Sequence, residues 1–145
     1  MSARRKAREL ALKALYAFDI SGTEAKQVSN DIILPSEIKP DARIFADELF
    51  FKTVQNAKEI DRMIRDNVKS WDFSRIAIIE KNILRLGICE ILFFEDISPA
   101  ISIDEAIELA KKYGDKDSKN FINAVLDSIL KELDGKKKQE KQKRK

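Results

Sequence analysis

No stretch of the chain alternates apolar and polar residues at the two-residue period of a strand. Apolar positions instead return every third or fourth residue, the period of a helix with one buried face. Ala7, Leu10, Ala11, Ala14, Leu15 and Phe18 line one side of a first helix, which Ser21-Gly22-Thr23 ends. Val28 to Pro40 reads as a short helix around Ile32-Ile33-Leu34 and then an irregular connection. After Pro40, with Asp41 as the expected cap, Phe45, Leu49, Phe50 and Val54 mark another helix; Ala57, Ile60, Ile64 and Val68 continue it or begin the next. Ser70-Trp71-Asp72-Phe73-Ser74 interrupts the pattern, and Ser74 is the expected N-cap of the most apolar segment, Ile76 to Phe94. Apolar residues on nearly every side of that segment predict a central helix, in which Arg85 and Glu90 are expected to be structural ion-paired groups. Ser102 and Glu105 have the spacing of a capping box for the helix that stops at Gly114. Asp117 or Ser118 is expected to cap the last helix, which carries Phe121, Ile122, Val125, Leu126, Ile129, Leu130 and Leu133. Its polar side holds Asn120, Asn123 and Asp127, and the two asparagine amides could read base edges or simply face water. The expectation is one compact all-α domain of about six or seven helices over residues 1–135, followed by a basic, disordered tail at 136–145.

Composition excludes most chemistry. The 145 residues include no histidine and one cysteine, Cys89, which leaves no Cys/His zinc site, no Ser-His-Asp triad and no disulfide within the chain. The four glycines stand apart, so the glycine-rich phosphate loops of nucleotide-binding enzymes are missing. A lone thiol fits a reducing cytoplasm. The longest apolar runs fall far short of the roughly 20 residues a membrane span needs, and Met1 to Lys6 does not open a signal peptide. No catalytic residue, metal ligand or cofactor is expected.

The net charge of +3 conceals a polarity. Residues 1–13 hold five basic groups against Glu9, a balance of +4, and residues 136–145 hold seven against Glu140, a balance of +6. The body between them is therefore −7. Basic ends and an acidic body suggest a polyanion partner for the first and a cationic partner for the second. The tail, without apolar periodicity, offers only nonspecific attraction. Arg4, Arg5, Lys6 and Arg8 instead crowd a helix N-terminus, where cations oppose the macrodipole, which points to an external anion. Arg5 and Tyr16 lie three turns apart with Leu12 between them, so basic heads and an aromatic ring are expected on one exposed stripe suited to RNA phosphates and unstacked bases.

Four stretches in order carry a resemblance. They are Arg4-Arg5-Lys6-Ala7-Arg8-Glu9-Leu10-Ala11 through Ala14-Leu15-Tyr16; Asn82-Ile83-Leu84-Arg85-Leu86 with Glu90-Ile91-Leu92; Ile103 to Lys111; and Tyr113-Gly114 leading to Asp117-Ser118 and Phe121-Ile122-Asn123. Together, over about residues 3–131, they are similar to the NusB family of bacterial transcription factors, and Trp71 falls where that family tends to carry a tryptophan. The resemblance implies a fold of two helical bundles and a non-catalytic role in transcription antitermination in the cytoplasm. It further implies pairing with NusE, a ribosomal small-subunit protein, binding of boxA RNA in ribosomal RNA leaders, and entry into an RNA polymerase complex with NusA and NusG. By position it assigns Arg4, Arg5, Lys6 and Arg8 to RNA, places Asp117, Asn120 and Phe121 near it, and places Tyr16 and Glu80 on the NusE face. It leaves monomer and homodimer both open. One departure is Ala124, where family members often have glycine; the lysine tail is another.

Three other functions fit parts of the pattern. The helical RNA-binding module of ribosomal RNA cytosine methyltransferases would need a further cofactor-binding domain with a glycine-rich loop. A helix-turn-helix DNA binder built on the last two helices would have only Lys119 and Lys131 as basic groups on its recognition helix, too few to hold phosphates as well as bases. A protein-binding scaffold is compatible with the acidic body.

Overall fold

The computed structural model of the chain describes residues 2–143, without the side chains of Ser70 and Trp71. The tryptophan ring and the last two residues of the tail, Arg144 and Lys145, thus lie outside the described residues. Among the described residues there are seven α-helices and no strand. They are α1 (Ala3–Ser21), α2 (Ala25–Val28), α3 (Pro40–Gln55), α4 (Ala57–Asn67), α5 (Ile78–Phe93), α6 (Pro99–Tyr113) and α7 (Ser118–Lys143). A π-helical turn, Ser29–Ile33, extends α2, and a 3₁₀ turn, Ser70–Arg75, leads into α5.

The central helix expected from the apolar run is α5, and it joins two bundles. On one side it packs against α1 and α3; on the other against α4, α6 and α7. Ile83, Leu84, Leu86 and Ile88 leave α5 in different directions and all four are buried. Each such side chain contributes about 1.5–3 kcal/mol by leaving water. Arg85 ties the two sides together: its Nε and Nη2 donate to Asp61 of α4 at 2.8 and 3.0 Å, and Nη1 donates to Asp19 of α1 at 2.7 Å. Burial lowers the Arg85 pKa, but the hydrogen bond and charge of Asp61 and the charge of Asp19 more than offset that and leave it raised. Cys89 lies in the same core, where burial pushes its thiol up to about 11.

The helix ends correct several local expectations. Ser2, not a basic residue, starts α1: its Oγ accepts the Arg5 N–H at 3.1 Å. Gly22 closes α1 with φ 68°, a left-handed conformation open to glycine, its N–H bonded to Phe18 O. Asp41 does not cap α3. Pro40 takes the first helical position, where its missing N–H loses nothing, and Asp41 falls inside the first turn. Ser74 is absorbed in the 3₁₀ turn, and α5 begins after Ala77. The capping box is also displaced, because Ser98 and Pro99 start α6 one turn earlier and the Ser98 Oγ accepts from Ile101 N–H. Ser102 and Glu105 are thereby freed for other partners.

Two glycines behave unlike the expectations. Gly114 ends α6 with φ −91°, not left-handed; a Cβ there would lie 2.5 Å from Ser118 Oγ and 2.8 Å from Ala110 O, so glycine is required by the close approach of α7. Gly135 does not end a helix. α7 runs through it to Lys143, so residues 136–143 are a solvent-exposed basic helix, not the disordered tail expected. The packed turns before it nucleate the helix, lysine and glutamine propagate it well, and Lys136 pairs with Glu132 one turn back at 3.5 Å. In urea unfolding, Gly114→Ala should lower stability by about 1–3 kcal/mol as α7 is pushed off its seat. Gly135→Ala, which meets nothing within 4 Å, should hold or raise it.

Candidate nucleic-acid interface

The N-terminal turns of α1 lie against the end of α5 and the start of α6, and this decides what each basic residue can do. Arg8 points inward. Its side chain is 4% exposed and its Nε and Nη2 both donate to the Glu90 carboxylate at 2.8 Å; Glu90 is 2% exposed. Ser102 Oγ donates to Glu90 Oε1 at 3.1 Å, and Glu105 Oε2 lies 3.9 Å from Arg8 Nη1. Arg8 was expected among the RNA-binding groups. Its donors are committed within the core, so the structure removes it from the exposed set.

The remaining cluster is exposed but largely paired. Arg4 lies 4.6 Å over the Phe45 ring and 3.5 Å from Asp96. Arg5 donates from Nε and Nη2 to the two oxygens of Glu105, both at 3.0 Å. The hydrogen bond and charge of Glu105 raise the Arg5 pKa, and the hydrogen bond from Arg5 lowers that of Glu105. Lys112 donates to Glu9 at 2.7 Å, and Lys111 to Glu108 at 3.3 Å. The anions that the basic helix start seemed to call for are thus partly internal. Among the described residues, no ion pair is made by Lys6, Lys13, Lys116 or Lys119, and all four are exposed.

Aromatic and apolar groups interleave with these cations. The single Arg5–Tyr16 stripe is not formed, because Leu12 is buried and becomes the floor of a cleft whose walls are Lys13, Tyr16, Ile79 and Tyr113. Tyr16, at 41% exposure, therefore shares a cleft with Ile79 at the start of α5. Glu80 in turn lines a second cleft with Asp72, Arg75, Ile76 and Phe121. Asp117 and Asn120 are exposed at the start of α7. The Asp117 carbonyl accepts the first helical hydrogen bond, while the buried Ser118 Oγ accepts from Asp115 N–H and donates to its carboxylate. Lys111, Asp115, Lys116 and Lys119 surround a basic cleft at the α6–α7 turn.

One face thus collects α1, the α6–α7 turn and the first turns of α5 and α7. Glu80 and Phe121 share one cleft, whereas Arg5 and Tyr16 line two others, linked only through the consecutive residues Lys112 and Tyr113. Four contributors went unassigned in the sequence: Lys111, Lys112, Lys116 and Lys119. The run Lys111-Lys112-Tyr113 at a helix end was the available signal, but only folding shows that it lies beside Arg5 and Tyr16.

The architecture defines a two-bundle helical domain with a mixed cationic and aromatic face. The sequence pattern of the NusB family matches residues 5–131. The transcription antitermination protein NusB of Nitratiruptor sp. is 47% identical over 133 residues, covering 92% of this chain and 95% of that protein. The structure of T. maritima NusB superposes with a TM-score of 0.83 at 34% identity, covering 89% of this chain and 91% of that one. A chain from the crystal structure of antitermination factors NusB and NusE in complex with dsRNA matches with a TM-score of 0.81 at 31% identity, over 90% of this chain and 98% of that one. The chain belongs to the NusB family and so to the transcription antitermination factors.

Arg8→Met should destabilise the fold by about 3–5 kcal/mol, because Glu90 is left charged, buried and without its principal partner. Adding Glu90→Leu should recover most of that loss in chemical denaturation, since the pair is then replaced by apolar volume. Glu105 gives a pH signature. Its lowered pKa means its contribution is complete above the ordinary value of 4.5 and fades as pH falls through the folded-state value. The stability gap between wild type and Glu105→Gln should therefore close in acid.

Proposed function

We propose that this chain, paired with NusE, binds boxA RNA in the leaders of ribosomal RNA operons. In that state it joins the RNA polymerase antitermination complex with NusA and NusG in the bacterial cytoplasm. The role is non-catalytic: the chain supplies surface, not chemistry. The observation that supports this reading is the set of shallow clefts along α1 and the α6–α7 turn, which carry the lysines Lys13, Lys116 and Lys119, the bidentate Arg5, and the rings of Tyr16 and Tyr113. Phosphates need the first and unstacked bases the last. Lys6, Lys116 and Lys119 are the groups best placed for phosphate, with Arg5 contributing its unbonded edge. Phe121 and the exposed Asn120 and Asp117 offer stacking and base-edge contacts beside them.

The protein partner is assigned to the Tyr16–Ile79–Tyr113 cleft and neighbouring Glu80. Its lining is mostly apolar with Lys13 as its one charged group, and Glu80, which follows Ile79 in the first turn of α5, is the acidic group offered to a basic ribosomal protein. Family membership and a relative solved together with NusE and dsRNA support the pairing. The rival helix-turn-helix reading gains nothing from the fold, because α7 uses Ile122, Val125, Leu126 and Ile129 to pack and carries Asp127 on its outer side.

Anisotropy titration of labelled boxA RNA and a scrambled control tests the reading. NusE should tighten binding to boxA well beyond any gain for the scrambled strand; equal affinities with and without NusE would sink the proposal. Lys6→Ala and Lys116→Ala should each reduce the salt slope by about 0.7, the value for one phosphate contact on a single strand. An unchanged slope assigns that lysine to solvation.

A further inference from the structure

Glu105 lies at the outer end of a chain of alternating charges that starts in the core. Ser102 Oγ and both Arg8 donors hold Glu90; Arg8 lies beside Glu105; Glu105 holds Arg5, whose side chain is 40% exposed. Exposure of Glu105 itself is only 15%, so its carboxylate is fixed by burial as well as by charge. A guanidinium has five N–H donors in a planar fork. Glu105 takes Nε–H and one Nη2–H, the edge nearest the helix. One N–H of Nη1 and the second N–H of Nη2 form the outer edge, at the end of the fork, and the other Nη1–H points back along the side chain; among the described residues these three donors make no hydrogen bond. That outer edge has the geometry for bidentate contact with a phosphate. Arg5 borders a cleft whose other charged groups, Lys112 with Glu9 and Lys111 with Glu108, neutralise one another in pairs.

We infer that Glu105 is a positioning residue for RNA recognition, holding the inner edge of Arg5 so that the outer edge is presented to one RNA phosphate. This rests on the reading of this face as the RNA interface. A free arginine on an exposed helix start samples many rotamers and attracts any polyanion. An arginine clamped to a core-anchored carboxylate offers its charge in one place and direction, partly offset by its partner. The arrangement exchanges indiscriminate attraction for geometric selectivity. Glu105 therefore acts on RNA through Arg5, without touching it.

The test measures boxA and scrambled RNA binding by anisotropy, with the full chain and NusE, for wild type, Glu105→Gln, Arg5→Ala and the double variant. Glu105→Gln keeps the side-chain shape and one acceptor but removes the charge and the second oxygen. It should weaken boxA binding by about tenfold, the scale of one well-oriented charged hydrogen bond. Scrambled RNA should bind as well or better, because the face gains positive charge. In the Arg5→Ala background the same change should leave the preference unaltered. Glu105→Asp, which retains the charge but withdraws the carboxylate by one methylene, should also lower the preference and controls for loss of charge alone. If Glu105→Gln tightens both RNAs equally, the carboxylate is a mere competitor of phosphate and the inference fails. If it leaves both unchanged, or still alters preference without Arg5, the inference likewise fails. If Arg5→Ala itself leaves boxA binding intact, it is the RNA reading of this end of α1 that falls.

Discussion

The buried pair of Arg8 and Glu90 sets the position of everything on the functional face. Removing two charges from water is tolerated there because the contact is bidentate at 2.8 Å, Ser102 donates a further hydrogen bond, and Glu105 lies close enough to share the arginine's charge. Such a pair is directional in a way that apolar packing is not. It holds the first turns of α1 in one rotation and one register against α5 and α6, with Arg4, Arg5 and Lys6 left outward. A helix start held only by Ala7 and Ala11 could rotate or fray. The unfavourable meeting of cations and the positive end of the α1 dipole is offset as well, since three carboxylates converge there: Glu90 from α5, Glu105 from α6 and Asp96 from the turn between them.

The electrostatics of the face follow from that anchoring. Of the cations that appear free in the sequence, Arg4, Arg5, Lys111 and Lys112 have internal carboxylates, whereas Lys6, Lys13, Lys116 and Lys119 make no ion pair among the described residues. The face is therefore less basic than its composition and more ordered. Reduced net charge limits long-range capture of any polyanion, which suits a protein whose RNA preference is assigned to joint binding with a second protein. The exposed lysine helix at the end of α7 is different. It is exposed and, among the described residues, pairs with a carboxylate only through Lys136 and Glu132, so its charge has no fixed geometry to select one polyanion over another.

Much of the fold was legible because burial writes a period into the sequence. The run from Ile76 to Phe94 predicts a helix surrounded on all sides, and α5 does join both bundles. The ion-paired state of Arg85 and Glu90 was also readable, since a charge inside an apolar segment must find a partner. Which partner was not. Arg85 meets Asp61 and Asp19, and Glu90 meets Arg8, across helices separated by 24, 66 and 82 positions. Helix ends were read less well. Ser-Pro and Lys-Pro pairs outcompeted the serine and aspartate caps assigned to Ser102 and Asp41, because proline occupies the first helical position without losing a hydrogen bond.

The same division holds for the site. Sequence by itself determined a helical chain, a basic start, an acidic body, a reactive inventory empty of histidine, and the order of motifs that marks the NusB family. These are properties of residue types and short spacings, and they survive without knowledge of which helix faces which. Only the tertiary structure decided that Arg8 is a core residue while Arg5, three positions earlier, is a surface one. It also decided that Lys111 and Lys112 stand beside α1, and that Glu105 is a clamp, not a cap. The reason is physical: Arg5 and Arg8 lie one turn apart on much the same side of α1, so their spacing cannot separate them, and the fate of each charge rests on contacts between segments about a hundred residues apart.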